Sequence, residues 1–331
     1  MKVCLIGSGR AGTFHCQSIN RNKKIDIICI VDNNVDNATK LANTIKATPM
    51  VCKDIDFAIE KFSDAFDTVI IATPTYTHHH LTIKCLNAGK HVFCEKPLGN
   101  IKQIKECFEL AQTKKLKLFI GFQKRFDKHY MDFRKLVQAS NKIKHINFIT
   151  RDHPLPSIQY LKTSNGIAED MLSHDIDIAN LIMKNEKPSS VVAFASTTLP
   201  ELEAADEIED ISVTMQYSSG TTIILNGSRT AQYAYDQRAE AYTGDSLITM
   251  NNQLENGVRV TTKTGESTSC INDSFPTRYK NAYYNELEAF RFVTEGGSGF
   301  TFPTCDDLVL NMEICNAINE SLKEKKVVQM N

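Results

Sequence analysis

The sequence has no CxxC pair, no apolar run near the roughly 18 residues needed to span a bilayer, no basic stripe interleaved with aromatics, no internal repeat and no low-complexity segment. Each absence removes a class of function. Without paired cysteines, the ten thiols at positions 4, 16, 29, 52, 85, 94, 107, 270, 305 and 315 carry no zinc or redox signature. Their scatter through strand-like runs reads as free thiols in a reducing compartment. With no long apolar run, and no room for a leader before a first strand at Lys2, the expectation is a soluble cytoplasmic chain with no membrane partner. Dispersed basic residues set nucleic acid aside as a ligand.

What is there suits a packed globular protein of two domains: 331 residues, 42% of them hydrophobic, with a formal net charge of -1. That balance conceals an asymmetry. Residues 1–122 hold 17 Lys and Arg against 11 Asp and Glu, so the remainder is acidic. A basic first part suits an anionic cofactor, and equally a solvated surface.

Over residues 1–122 short apolar runs alternate with helical stretches, the pattern of a Rossmann-type α/β domain in which a doubly wound parallel sheet is covered by helices. The runs are Val3–Ile6, Ile25–Val31, Thr68–Ala72, His91–Cys94 and Leu116–Gly121. The helices are read at Ala11–Asn20, Val35–Thr44, Ile55–Phe62, His79–Ala88 and Ile101–Lys114. Residues 123–331 read as an α+β domain with a large, mostly antiparallel open sheet, for substrate binding and oligomerisation. Its strands are read at Lys144–Asp152, Val191–Thr197, Ile211–Tyr217, Thr221–Ser228, Arg238–Thr243 and Val258–Thr264. Helices are expected at Ile167–Met183, Tyr279–Thr294 and Cys305–Glu324, the last packing back towards the first domain.

Gly7-Ser8-Gly9-Arg10-Ala11-Gly12 follows a strand directly and opens a helix. The first glycine permits a tight turn, the second lets backbone approach a pyrophosphate, and the third brings helix and strand together; the N–H groups of the helix start then face the anion. Asp32, 20 residues beyond Gly12, ends the next strand. An acid there accepts hydrogen bonds from the adenosine ribose and repels a 2′-phosphate, so NAD is expected over NADP. A glycine turn serving only the fold is the alternative.

Two further segments close parallel strands, Ala72-Thr73-Pro74-Thr75-Tyr76-Thr77-His78 and Cys94-Glu95-Lys96-Pro97-Leu98. Loops at those carboxyl ends line the ligand crevice of an open α/β sheet, so both are expected to face the nicotinamide half of the cofactor. Pro97 favours an extended backbone at Lys96. On spacing alone, Lys96 also reads as a surface lysine. In the second half Asp170, His174 and Asp177 stand at i, i+4 and i+7 of one helix and so share a face. An aspartate one turn from a histidine orients it as a general base; a solvated acidic face or a divalent-cation site has the same spacing. His78-His79-His80 resembles a metal tag, yet consecutive helical residues point about 100° apart, so no metal is expected, and His78 is read as a capping or cofactor-edge residue.

At these residues the chain resembles the glucose-fructose oxidoreductase/inositol dehydrogenase/MocA family. The resemblance is carried by the glycine turn, Ala72-Thr73-Pro74-Thr75-x-x-His78, Glu95-Lys96-Pro97, Gly121-Phe122-Gln123-Lys124-Arg125-Phe126-Asp127 and Gly166-x-x-x-Asp170-x-x-x-His174-Asp175-x-Asp177. Tyr235-Asp236-Gln237-Arg238-x-Glu240 and Arg278-Tyr279-x-x-Ala282-Tyr283 are similar to segments of the inositol dehydrogenases within it. It implies that Lys96, Asp170 and His174 act together in catalysis, and that Gln123, Lys124, Asp152, Asp177 and Tyr235 lie near the substrate. For the cofactor it implies Gly7, Gly9, Arg10, Ala11, Gly12, Asp32, Thr73, Pro74, His78, Glu95 and Lys96. Two positions depart: Lys124 stands where the family usually has arginine, and His153 where many relatives have proline or another residue.

The implied activity is NAD-dependent oxidation of a ring hydroxyl of a cyclic polyol, most like myo-inositol to its 2-ketone, by a homodimer or homotetramer formed through the open sheet. A pyranose, scyllo-inositol or a sugar acid is the alternative substrate. A non-catalytic NAD sensor is the alternative of a different class, and retention of Lys96, Asp170 and His174 together argues against it.

Overall fold

The computed structural model describes residues 1–45, 47–300 and 302–330. These divide into two compact units: residues 1–127 with 281–309, and residues 128–280 with 310–331. Unit 1 therefore takes back a segment, residues 281–309, that the sequence reading had assigned wholly to the second domain.

Unit 1 begins β1 (Lys2–Ile6), α1 (Arg10–Asn20), β2 (Asp26–Val31), α2 (Val35–Ala42), β3 (Met50–Cys52), α3 (Ile55–Phe62), β4 (Thr68–Ile71), α4 (His78–Asn87), β5 (His91–Glu95), α5 (Ile101–Thr113) and β6 (Leu118–Gly121). The six strands form one sheet in the order β3-β2-β1-β4-β5-β6, every pair parallel. Val3, Cys4, Leu5, Val69, Ile70 and Ile71 are wholly buried, because helices cover both faces and leave no place for alternation. Local chemistry starts the helices. Asn34 accepts from the Asn37 N–H, Asp54 from the Phe57 N–H, and Asn100 forms a reciprocal capping box with Gln103. The strand order reverses between β1 and β4, and in such sheets ligands bind outside the carboxyl ends at that point.

The second unit follows as α6 (Lys128–Ala139), β7 (Ile143–Arg151), α7 (Ile158–Leu161), a π-helical segment at Ala168–Leu172, α8 (Ser173–Ile182), β8 (Ser190–Ser196), α9 (Pro200–Glu203), β9 (Asp210–Gln216), β10 (Thr222–Ser228), β11 (Asp236–Thr243), β12 (Leu247–Met250), β13 (Arg259–Thr262), β14 (Gly265–Thr268) and α10 (Phe275–Arg278). The chain then runs through α11 (Lys280–Thr294) and α12 (Cys305–Glu324) to β15 (Val328–Gln329). Seven strands form a sheet in the order β12-β11-β7-β10-β9-β8-β15, antiparallel except for β7 with β10. Burial alternates along its strands: Ile146, Phe148, Leu225, Val213 and Met215 are buried, whereas Phe194, Tyr242 and Leu247 on the opposite face are exposed.

The run read at Val258–Thr264 is not in that sheet. Its strand, β13, pairs only with β14 as a separate hairpin, and every residue of both is exposed. Arg-Val-Thr-Thr and Gly-Glu-Ser-Thr offer no apolar face to bury. The helix read at Ile167–Met183 is interrupted as well, since its first turn is π and only residues 173–182 are α-helical. No helix among the described residues is long and apolar enough to cross a membrane.

Candidate active site

The carboxyl ends of β1, β2, β4, β5 and β6 carry the segments expected to hold a dinucleotide. Gly7 has φ +99° and hydrogen-bonds its N–H to Val31 O at 2.8 Å; a Cβ there would lie 2.3 Å from the Ala72 carbonyl oxygen. At Gly12 a Cβ would stand 1.9 Å from Gly7 O, so the third glycine brings α1 against the turn. Gly9 differs, because a Cβ there meets nothing within 4 Å. That is the space through which a ligand approaches the backbone. Gly9 is also the N-cap of α1 and no side chain caps that end, so first-turn N–H groups are left for an anion. Arg10 and Ala11 follow in that turn, Arg10 exposed and Ala11 half-buried.

Asp32 is held by three donors. One oxygen accepts from the Ser8 N–H at 2.7 Å and the Ser8 hydroxyl at 2.6 Å, and the other from the Asn34 N–H at 2.8 Å. Its backbone N–H donates to Cys52 O at 3.1 Å, anchoring the acid to β3. These residues fit NAD: an open approach over Gly9, an uncapped helix start and a fixed acid at the strand end where ribose hydroxyls donate.

At the ends of β4 and β5, His78 is buried and its two ring nitrogens face Pro97 O and Thr73 O, each at 2.8 Å. A neutral ring donates to only one of them. Burial holds its pKa below the ordinary imidazole value, against the two carbonyls, which favour the charged ring. His78 thus ties the loop after β4 to the Glu95-Lys96-Pro97 loop, where a cofactor-edge or capping role was expected. Thr73 joins that loop through its hydroxyl, 2.6 Å from the Thr77 hydroxyl, and Pro74 caps the turn with its carbonyl.

Glu95 reveals a partner that sequence reasoning missed. Its carboxylate lies 2.6 Å from His15 Nε2, and the His15 ring is fully buried, edge-on to Phe93 at 5.1 Å and to Tyr283 at 5.8 Å. Burial raises the Glu95 pKa, but the hydrogen bond with His15 and the nearby Lys96 outweigh it and hold the acid below its ordinary value. Lys96, half-buried, therefore sits beside an ionised carboxylate whose position is set from α1, and its peptide bond to Pro97 is cis. After β6, Gln123 and Lys124 are both buried, Lys124 only 2% exposed.

In unit 2, Asp170 lies in the π segment, one turn before His174, and a wider turn still leaves residues i and i+4 on one face. One Asp170 oxygen accepts from the Tyr160 hydroxyl at 2.7 Å and the other from Arg229 Nη1 at 2.6 Å. His174 is half-buried in the first turn of α8, and Asp177, one turn on, is 2% exposed. Asp152 follows β7, its N–H donating to Ser228 O at 2.9 Å. His153 Nδ1 lies 2.9 Å from Ala231 O. Tyr235 is buried edge-on to Tyr279 at 6.0 Å. Between them, Asp175 accepts a short hydrogen bond from Thr150. Among the described residues no group of three or more His, Cys, Asp or Glu side chains is arranged to hold a metal ion; His79 instead meets Glu106 at 3.0 Å.

The model of the oxidoreductase family with an NAD-binding Rossmann fold matches residues 1–122, and the GFO/IDH/MocA C-terminal domain matches residues 136–248. The chain is 32% identical over 330 residues to an inositol 2-dehydrogenase of Rhizobium meliloti (strain 1021), covering 98% of each. The chain belongs to the GFO/IDH/MocA family. As a member of that family it is an NAD-binding oxidoreductase. It is also 30% identical over 334 residues to a myo-inositol 2-dehydrogenase of Thermotoga maritima, covering 100% of this chain and 98% of the relative. Among solved structures, a myo-inositol dehydrogenase from Corynebacterium glutamicum superposes with a TM-score of 0.90 at 28% identity, covering 100% of this chain and 99% of that one.

Proposed function

We propose that this oxidoreductase oxidises a ring secondary hydroxyl of a cyclic polyol, myo-inositol to 2-keto-myo-inositol, with Lys96, Asp170 and His174 as its catalytic residues. The observation that carries the reading is the setting of Lys96: it follows a half-buried Glu95, held below its ordinary pKa and tied to His15, at the end of β5, in the same sheet whose glycine turn and Asp32 fit NAD. A lysine at that sheet end is the kind of group needed to hold an alcohol oxygen while negative charge develops on it.

His174 takes the hydroxyl proton as general base, and Asp170 sets its orientation and charge. Lys96 donates a hydrogen bond to the same oxygen. NAD, when bound, supplies the acceptor for the carbinol hydride. Gln123, Lys124, Asp152, Asp177 and Tyr235 grip the remaining ring hydroxyls, since buried polar side chains select a polyol through hydrogen bonds that a less hydroxylated ring leaves unmade. The names of the relatives from Rhizobium meliloti and Thermotoga maritima support inositol as that ring.

The test is a panel of myo-inositol, scyllo-inositol, aldopyranoses and sugar acids with NAD, followed by NADH absorbance. Highest kcat/KM on myo-inositol is expected. Preference for an aldose over every inositol refutes the substrate, and no turnover of any polyol with NAD demonstrably bound favours a sensor.

A further inference from the structure

We infer that Arg229 is a positioning residue for this reaction, acting through Asp170; the inference rests on the reading of Asp170 as the acid that orients His174. Arg229 directly follows β10 and is 0% exposed. Its Nη1 donates to Asp170 at 2.6 Å, while its Nε and Nη2 are buried with no hydrogen-bond partner among the described residues. The neighbouring acid Glu209 does not take it. Glu209 spends one oxygen on Thr198 and the Leu199 N–H and the other on the Thr230 hydroxyl, and only its backbone carbonyl meets Arg229, through the Arg229 N–H at 2.8 Å. The one ion pair of this buried guanidinium among the described residues is therefore with Asp170.

A guanidinium away from water is costly unless it is paired, so the arrangement is mutual: Arg229 needs the carboxylate, and the carboxylate is fixed by Arg229 on one oxygen and Tyr160 on the other. The groups set against Asp170 are the guanidinium of Arg229 from the end of β10 and the hydroxyl of Tyr160 in α7, and Asp152 after β7 acts on that same Tyr160; His174 follows on its own helix. Arg229 is the cation of that set. It holds the Asp170 carboxylate aimed while His174 takes and releases the proton.

The experiment is steady-state kinetics on the full-length chain with NAD and the polyol turned over fastest, across pH, for Arg229→Gln, Arg229→Ala, Asp170→Asn and the double variant R229A/D170N. Cofactor binding serves as the check that each variant folds. For R229Q, kcat about 100-fold lower is expected, the loss typical of a disturbed proton-transfer group, with KM little changed and the acid limb of the kcat profile moved to higher pH. Guanidinium chloride should restore at least part of kcat to R229A and none to D170N, and the double variant should be no slower than D170N. A merely structural arginine lowers Tm without moving the pH profile. Wild-type kcat and profile in R229Q, or additive losses in the double variant, overturn the inference. Wild-type turnover in D170N overturns the underlying reading of Asp170 instead. Should R229A not fold, R229Q and its pH profile decide alone.

Discussion

At the residue scale the contrast is between groups proposed to meet a ligand and groups that hold other side chains in place. Lys96→Ala is expected to lower kcat at least 100-fold, the loss seen when one donor to a developing oxyanion is removed, while NAD affinity measured by protein fluorescence or calorimetry stays near wild type. Normal turnover in that variant removes the mechanism. Asp32→Ala should raise KM for NAD and narrow its advantage over NADP, because the carboxylate both accepts from the ribose and repels a 2′-phosphate; an unchanged NAD/NADP ratio means the ribose contact lies elsewhere. The groups proposed to act could be singled out in the sequence because each sits in a local pattern: glycines before a helix, a lysine before proline, an acid at a strand end. The holding groups were not. His15 meets Glu95 across 80 residues and Arg229 meets Asp170 across 59, and neither has a local motif to mark it. His15 looks like any polar position on α1, and His78 invites a metal or cofactor reading until its ring nitrogens are seen facing Thr73 and Pro97.

At the scale of elements, the glycine turn separates two demands that the motif merges. Gly12 is required by packing, since a Cβ meets Gly7 O at 1.9 Å, whereas Gly9 has an extended backbone (φ -72°) and open space beside it. Gly12→Ala should therefore destabilise the protein by about 1–3 kcal/mol, the usual cost of overpacking, seen as a lower urea midpoint. Gly9→Ala should leave the midpoint alone and weaken NAD binding. Equal midpoint losses in both would mean that Gly9, too, is structural. The parallel strands were readable from continuous apolar runs, but β3 has only three residues and gives no period, and β13 was misassigned because β-branched residues suggested a strand without showing whether it had a face to bury. Helix α6 was missed although Tyr130, Phe133 and Val137 mark its buried stripe at helical spacing. The π turn before α8 left no trace in periodicity; Leu172 and Met171 of that turn lie where a Cβ on Gly227 of β10 would meet them, at 2.9 and 3.4 Å.

At the scale of the whole molecule, two features carry consequences that no single element shows. The open face of the second sheet presents Phe194, Tyr242 and Leu247, each at least half exposed, on β8, β11 and β12. Exposed apolar residues on one sheet face favour association between copies. Sedimentation should find a dimer or tetramer that Phe194→Asp weakens, and a monomeric wild type refutes it. The thiols act through pH. Cys85 and Cys107 are fully buried, and burial pushes each up to about 12 from an ordinary value of 9.0. Folded, they stay neutral; unfolded, they ionise above pH 9, so the unfolded chain then holds fewer protons and stability falls as pH rises. Their contribution is complete below pH 9 and lost between there and about 12, at up to about 1.4 kcal/mol per pH unit for each thiol. Urea unfolding from pH 7 to 10.5 should show this decline, and Cys85→Ala, though less stable at pH 7, should show a shallower one. An equal slope in the variant would mean that the alkaline loss comes from groups other than this thiol.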